Sequence, residues 1–354
     1  MMKKIIWIVI LILVVIGIYK LAGKNEPVEK GEALKIGVIL PLTGDFAVLG
    51  EEVKRGIEVS VEEEKKNGRQ FRVFFEDDQS LSPTATVNAA RKLIDIDKVD
   101  VGLTMLVEES RPIAPIFSQA KIPLLVMWDS NQSIQDSGDY LFSNGFSTEA
   151  AGETVADFAY NEIGLRNMAV VSHTDAWSEI ISESFAKKFT ALGGKVISSD
   201  RLSLETNDYR TTLLKIKNSN AKGIYFPLIP PSSARFLIQA EELGLKLPLF
   251  SGDALIQDVV AEAGPAAEGV YYTNYFTDQS AELSTKYKTA YNTDPIDVTL
   301  FSFGYDAVRA VVEARSRGGS IFSSLKMVYG PTRSTDRIEK LYQIRDGRSA
   351  EVTN

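Results

Sequence analysis

Leu34–Leu40 reads LKIGVIL, a short apolar run rich in β-branched residues, and Pro41-Leu42-Thr43-Gly44-Asp45 breaks it abruptly. An apolar run of this length without alternation is the pattern of a strand buried on both faces, as in a parallel sheet. From Gly50 the period changes. Val53, Ile57 and Val61 fall on one helical face, with Glu51, Glu52, Lys54, Glu58 and Glu62 elsewhere. Gly68 stops that helix, and Phe71–Phe75 forms the next strand, closing on Glu76-Asp77-Asp78. Strand, helix and strand together make a βαβ unit.

The same grammar continues outward. Ser82-Pro83-Thr84 opens a helix through Leu93, with Ser82 as N-cap and Pro83 tolerated in the first turn. Strands follow at Val99–Leu103 and Ile122–Val126, with a helix near Arg111–Gln119 between them. Met168–Val171 starts a second series: a helical pattern through Ile180, Ile181, Phe185, Phe189 and Leu192, the stop Gly193-Gly194, then Val196–Ser199 and Asp200. Ile224–Leu228, a helix through Leu243, Leu247–Phe250 and Val270–Thr273 extend the alternation. Leu34–Asp78 and Asn167–Asp200 share one order of elements, which predicts two similar α/β lobes rather than one long sheet. In such doubly wound sheets ligands bind beyond the carboxyl ends of the strands, and two facing lobes make a cleft. The expected fold is therefore α/β: two doubly wound parallel-sheet lobes around a hinged cleft, preceded by one N-terminal hydrophobic helix. Residues 34–147 plus 276–330 are expected to form lobe 1, and 148–275 plus 331–354 lobe 2.

Composition removes whole classes of function. The chain of 354 residues carries 39 Lys+Arg against 47 Asp+Glu, a net charge of −8. An acidic chain is poorly suited to nucleic acid, whose phosphates are bound by Lys and Arg. With no cysteine there is no disulfide, thiolate nucleophile or Cys-ligated zinc, and one histidine excludes a His-rich metal site within the chain. The N-terminus supplies an address. Lys3 and Lys4 precede the apolar run Ile5–Tyr19, the charge order of an export signal. Residues 5–22, with Lys20 snorkelling, are long enough to span a membrane. The small-residue pairs a signal peptidase needs are poor here. Residues 1–23 therefore read as a signal-anchor rather than a cleaved signal peptide, and residues 24–33 as a tether. The remainder is expected on the extracytoplasmic face of the cytoplasmic membrane, or periplasmic or secreted if the segment is cleaved.

Signatures of chemistry are missing. There is no phosphate-binding G-x-x-x-x-G-K-[ST], no G-x-G-x-x-G after the first strand, and no H-E-x-x-H, EF-hand loop or G-x-S-x-G. No cofactor is expected and no metal. His173 follows a strand in Ser172-His173-Thr174-Asp175 and reads as a polar loop residue, a ligand donor, or the base of a Ser/His/Asp set. Trp128 and Trp177 fall in loops beyond strands, where a tryptophan serves equally as core or as a ligand platform. Asp253, in Ser251-Gly252-Asp253, is either an N-cap for a helix near Ala254 or a partner for a ligand cation.

These residues resemble a known family. KIGVILPLTGDFAVLG (Lys35–Gly50), PIAPIFSQAKIPLL (Pro112–Leu125), Met168–Asp200, LIQAEELGLKLPLFSGD (Leu237–Asp253) and SFGYDAVRAVVEA (Ser302–Ala314) are similar, in order, to the periplasmic leucine/isoleucine/valine-binding proteins. The resemblance implies a type I periplasmic-binding fold that closes on a small solute and, in typical members, feeds an ABC transporter through its permease. It also implies site positions. The family's hydroxyl falls on Ser130, its backbone contact on Trp128, its aromatic on Trp177 and its acid on Asp253. Two further aromatic positions fall on Leu49 and Ile229. The carboxylate-binding serine falls near Val107, which has no donor in its side chain, while Glu108 and Glu109 beside it would disfavour a carboxylate. Glu108 is either a cleft residue favouring cationic ligands or a solvated loop acid. The expected function is capture of an amino-acid-like, amine or amide ligand, with the amine paired to Asp253. The alternatives are a ligand-sensing receptor domain acting through a membrane partner, and a cleft hydrolase using His173.

Overall fold

The computed structural model describes residues 33–275, 280–330 and 339–352. The proposed anchor, residues 1–23, and the proposed tether up to residue 32 lie outside the described residues. Among the described residues no helix is long and apolar enough to cross a membrane.

The first part of the chain winds β1 (Leu34–Leu40), α1 (Ala47–Lys66), β2 (Phe71–Asp77), α2 (Pro83–Lys92), β3 (Val101–Thr104), α3 (Val107–Ala120), β4 (Leu124–Val126), β5 (Asp129–Ser130), α4 (Gln132–Asp136), β6 (Leu141–Ser143) and β7 (Phe146–Ser147). Its sheet runs in the order β2-β1-β3-β4-β6, every neighbour parallel. β1 is an interior strand, and Ile36, Val38, Ile39 and Leu40 are fully buried, as its unbroken apolar run requires.

The second part winds α5 (Thr148–Asp157), β8 (Asn167–His173), α6 (Ala176–Ala191), β9 (Lys195–Leu202), α7 (Arg210–Lys217), β10 (Gly223–Tyr225), α8 (Ser232–Glu242), β11 (Leu249–Ser251), α9 (Gln257–Ala263) and β12 (Tyr271–Tyr275). Three helices follow, α10 (Ser280–Tyr291), α11 (Val298–Ser316) and α12 (Ile321–Tyr329), then β13 (Glu339–Arg345) and β14 (Arg348–Glu351). The second sheet is ordered β14-β13-β12-β11-β10-β8-β9, parallel from β9 to β12 and antiparallel at the β12–β13–β14 edge. The chain thus leaves the second sheet after β12, packs α11 against α1, and returns to the second sheet at β13.

Local chemistry accounts for the helix starts. Ser82 accepts the amide of Ala85 at 3.5 Å with Pro83 as first helical residue, as its sequence suggests. α3 differs from expectation. It begins at Val107, four residues before the expected start near Arg111, despite Pro112 and Pro115 inside it. The Glu109 carboxylate folds back onto the amides of Met105 (2.6 Å) and Leu106 (3.2 Å), satisfying donors that otherwise end a helix unpaired. That early start moves the side chains of Val107 and Arg111 onto one face, a turn apart.

α1 and α11 approach through glycine. A Cβ on Gly56 would lie 2.0 Å from the Phe301 carbonyl oxygen, and one on Gly304 would lie 2.0 Å from that of Val53. Both obstacles are backbone, so neither helix can yield without moving bodily. Gly304→Ala is expected to destabilise the protein by about 2 kcal/mol or more, as overpacking does, and to lower the thermal unfolding midpoint by several degrees. An unchanged midpoint would show that the two helices are not rigidly docked.

Candidate functional site

The carboxyl ends of the two sheets face one another, and the loops leaving them enclose a cavity of about 330 Å³. Its wall draws on the segments after four strands of each sheet. Phe46 and Leu49 follow β1, Leu81 and Pro83 follow β2, Leu106 and Arg111 follow β3, and Trp128 follows β4. From the second sheet come Asp175 and Trp177 after β8, Leu204 after β9, Ile229 after β10, and Asp253 and Ala254 after β11. This is where ligands sit in doubly wound sheets. A more polar space of about 460 Å³ adjoins it, sharing Phe46, Leu204 and Ile229 and adding Asp45, Ser80, Glu205, Asn207 and Arg235.

Asp253 ties the wall together. Its Oδ2 accepts the indole N–H of Trp128 at 2.8 Å and its Oδ1 that of Trp177 at 3.2 Å. Trp128 belongs to the first sheet's loops and Trp177 to the second's, so one carboxylate is held from both sides of the cleft. The Trp128 ring also packs on Phe303 of α11, centroids 5.5 Å apart. Gly252 permits the other contact, since a Cβ there would meet the Trp177 ring at 3.1 Å. Burial pushes the Asp253 carboxyl up to about 6, against the opposing pull of the Trp128 and Trp177 donors.

The loops that carry the apolar wall are held by other acids. Asp77 accepts the amides of Leu42 (2.9 Å), Thr43 (3.2 Å) and Gln79 (2.9 Å) and the Thr43 hydroxyl (2.6 Å). Burial would raise its carboxyl, but these bonds, the Thr43 hydroxyl foremost, hold it below the usual range. Asp78 accepts the Leu81 amide at 2.9 Å. Its carboxyl meets that of Glu109 in a buried pair. Burial raises both, and the charge of Asp78 raises Glu109 further. Glu109 is thus a structural acid clamping two cleft loops, not a negative charge offered to a ligand.

Several expectations change against this geometry. Trp177 lies in the first turn of α6, not in a loop, because Asp175 caps that helix by accepting the Ser178 amide at 2.9 Å. Asp253 is not an N-cap: the next helix starts at Gln257, and both carboxylate oxygens already accept indole N–H groups. Trp128, Trp177, Asp253, Leu49 and Ile229 come together on one wall. Ser130 is buried in β5 and is not among the lining residues. The side chain of Glu108 lies outside what the structure describes. Val107 is buried, and its amide donates to Asp129 Oδ1 at 2.9 Å. His173 is also buried and away from the cavity wall. The Tyr209 hydroxyl gives its proton to the Thr206 carbonyl, so the imidazole Nε2 donates to Tyr209 at 3.2 Å. Desolvation lowers its pKa, and its hydrogen-bond partner among the described residues is a tyrosine rather than the serine and carboxylate of a triad.

Sequence reading missed Phe46, Leu81, Pro83, Leu106, Arg111, Leu204 and Ala254. Arg111 had a signal: it stands four residues after Val107, a position already under suspicion, and shares its face once the helix start is known.

Comparison with known proteins gives one consistent picture. The family model described as "Periplasmic binding protein" matches residues 33–340. A Leu/Ile/Val-binding protein homolog 6 of Brucella suis is 28% identical over 255 residues, covering 69% of this chain and 65% of that protein. The match therefore spans a little under two thirds of the relative's length. The crystal structure of a leucine-binding protein, LivK, from Thermotoga maritima is 25% identical with a TM-score of 0.81, covering 91% of this chain and 98% of that one. A solute-binding protein of an ABC transporter from Rhodopseudomonas palustris, in complex with 3,4-dihydroxybenzoic acid, has the same TM-score of 0.81 at 22% identity, covering 90% of this chain and 96% of that one.

The raised carboxyl of Asp253 has a measurable sign. Its native value of about 6 exceeds the ordinary 3.8, so the native state holds a proton between these values that the unfolded chain has lost. Stability from this group is therefore expected to fall as pH rises from about 4 to 6, by about 3 kcal/mol in all, and to level off above. Tryptophan fluorescence should titrate with a midpoint near 6 that disappears in Asp253→Asn. In Trp128→Phe, with the stronger donor gone, the midpoint should move upward. A midpoint that survives in Asp253→Asn would assign the transition elsewhere.

Proposed function

The chain belongs to the periplasmic binding protein family, and from that premise we propose that it is an extracytoplasmic solute-binding protein capturing a small organic solute by closure of its two lobes. The observation that carries the reading is the cavity itself. It is mostly apolar, sits at the carboxyl ends of both sheets, and takes wall residues from each side. Ligand capture then follows from differential contact: only the closed arrangement lets both walls touch the solute at once. Trp177, Leu49 and Ile229 supply contact area for the apolar body. Trp128 and Asp253 supply a hydrogen-bonded bridge formed across the cleft. Delivery to an ABC-transporter permease is part of the proposal, as is N-terminal anchoring through residues 5–22. The relatives named above extend from leucine to an aromatic acid, which fits an apolar pocket whose polar contacts decide the ligand.

The sensor reading shares this geometry and is separated from transport by what the domain contacts, not by the cavity. The hydrolase reading loses ground because His173 is buried and away from the cavity wall.

Three measurements test the proposal. The full chain, examined by native mass spectrometry and calorimetry, should bind a small solute and release it unaltered. Trp177→Ala should weaken that binding by roughly thirtyfold, about 2 kcal/mol, as truncation of a central aromatic does. His173→Ala should leave binding as the activity observed, whereas turnover abolished by that change would make the protein an enzyme. N-terminal sequencing of membrane-extracted protein should find residues 5–22 retained. A start between Gly23 and Gly31 would mean the segment is a cleaved signal.

A further inference from the structure

We propose that Arg111 is the specificity-determining residue of the cavity, binding the carboxylate of an apolar organic acid in place of the hydroxyl that Val107 lacks. The inference rests on the solute-binding reading and names the class of solute.

The position expected to hold a carboxylate is closed on two counts. The Val107 side chain is buried with Ile113 and Phe117, and its amide is committed to Asp129. Arg111 follows four residues later on the same helix, on the same face, and its side chain is on the cavity wall. The guanidinium has no hydrogen bond and no ion pair with any described residue, although this chain pairs many of its surface cations. An arginine left unpaired at an apolar wall keeps its planar fork of donors for an anion that arrives from outside.

The other polar groups of the wall do not compete for that role. The two indole N–H groups are spent on Asp253, and Asp253 has both oxygens engaged by them. One Asp175 oxygen accepts the Ser178 amide, and its other oxygen has no hydrogen-bond partner among the described residues. Both acids belong to the opposite sheet's loops, so they direct an anionic group away from themselves and toward Arg111. The rest of the wall, including Phe46, Leu49, Leu106, Leu204 and Ile229, is apolar and sets the ligand's body. The geometry therefore points to a monocarboxylate with an apolar or aromatic body, the acid at Arg111.

The test uses two shape-matched series on the full chain: benzoate, benzamide and benzylamine, and 4-methylpentanoate, 4-methylpentanamide and 4-methylpentylamine. At least one acid should bind tenfold or more tightly than its amide and amine. Arg111→Gln should bring that acid down to the affinity of its amide while leaving the amide within about twofold. Arg111→Lys should retain part of the preference, since it keeps the charge and loses the fork. Arg111 is exposed, so the thermal unfolding midpoint of both variants should match the parent. An amide or amine that binds as tightly as its acid, or a Gln variant that weakens all three alike, overturns the role of Arg111 and leaves the solute-binding reading standing. If no member of either series binds and native mass spectrometry finds no captured solute, the solute-binding reading falls and takes this proposal with it.

Discussion

The cleft depends on a single buried carboxylate. Asp253 receives one indole N–H from each side, Trp128 at 2.8 Å and Trp177 at 3.2 Å, so two large aromatic rings are fixed in orientation by one small group. Indole has one donor, and burying it unpaired would cost a few kcal/mol, so both rings need this acceptor where they stand. The carboxylate has the complementary need, because without the indoles its charge would have only its own backbone amide left for support. Each member makes the burial of the others tolerable, and the apolar remainder of the wall is arranged around them.

The acids at the strand ends follow a common logic that their charge alone conceals. Asp77 holds the loop after β1, Asp78 the turn after β2, Glu109 the start of α3, Asp129 the Val107 amide, and Asp175 the start of α6. Each satisfies backbone donors that the chain's sharp exit from a parallel strand leaves unpaired. A cleft rim rich in Asp and Glu is therefore not a field that attracts cations. Most of those carboxylates are engaged by backbone amides, and burial raises both carboxyls of the Asp78–Glu109 pair.

Much of the fold was legible because parallel sheets announce themselves. β1, β8 and the helical face Val53–Ile57–Val61 follow from apolar periodicity, and the Ser82 cap from its residue types. The site was legible only where position along the chain fixes it: Trp128, Trp177 and Asp253 stand just beyond strands, so topology alone brings them near one another. What escaped were facts of direction. Nothing local distinguishes an Asp253 that caps a helix from one that accepts two indoles from segments 76 and 125 residues away in the chain. Likewise, Pro112 and Pro115 argue for a late start to α3, and only the fold-back of Glu109 onto Met105 and Leu106 moves it to Val107.

Binding and closure are linked through these same groups. Trp128 packs on Phe303 of the returning helix α11, which is locked to α1 by the Gly56 and Gly304 contacts. Asp253 and Trp177 belong to the other sheet. The Trp128–Asp253 bond therefore connects a loop of the first sheet to a loop of the second. A solute filling the space beside it excludes water from the bond and strengthens it, because the same hydrogen bond is worth more at lower dielectric. The solute and the bridge then favour the same closed arrangement, and the free energy that either contributes to closure is available to the other. Affinity in this protein is accordingly set in part by a bond within the wall itself and not by ligand contacts alone.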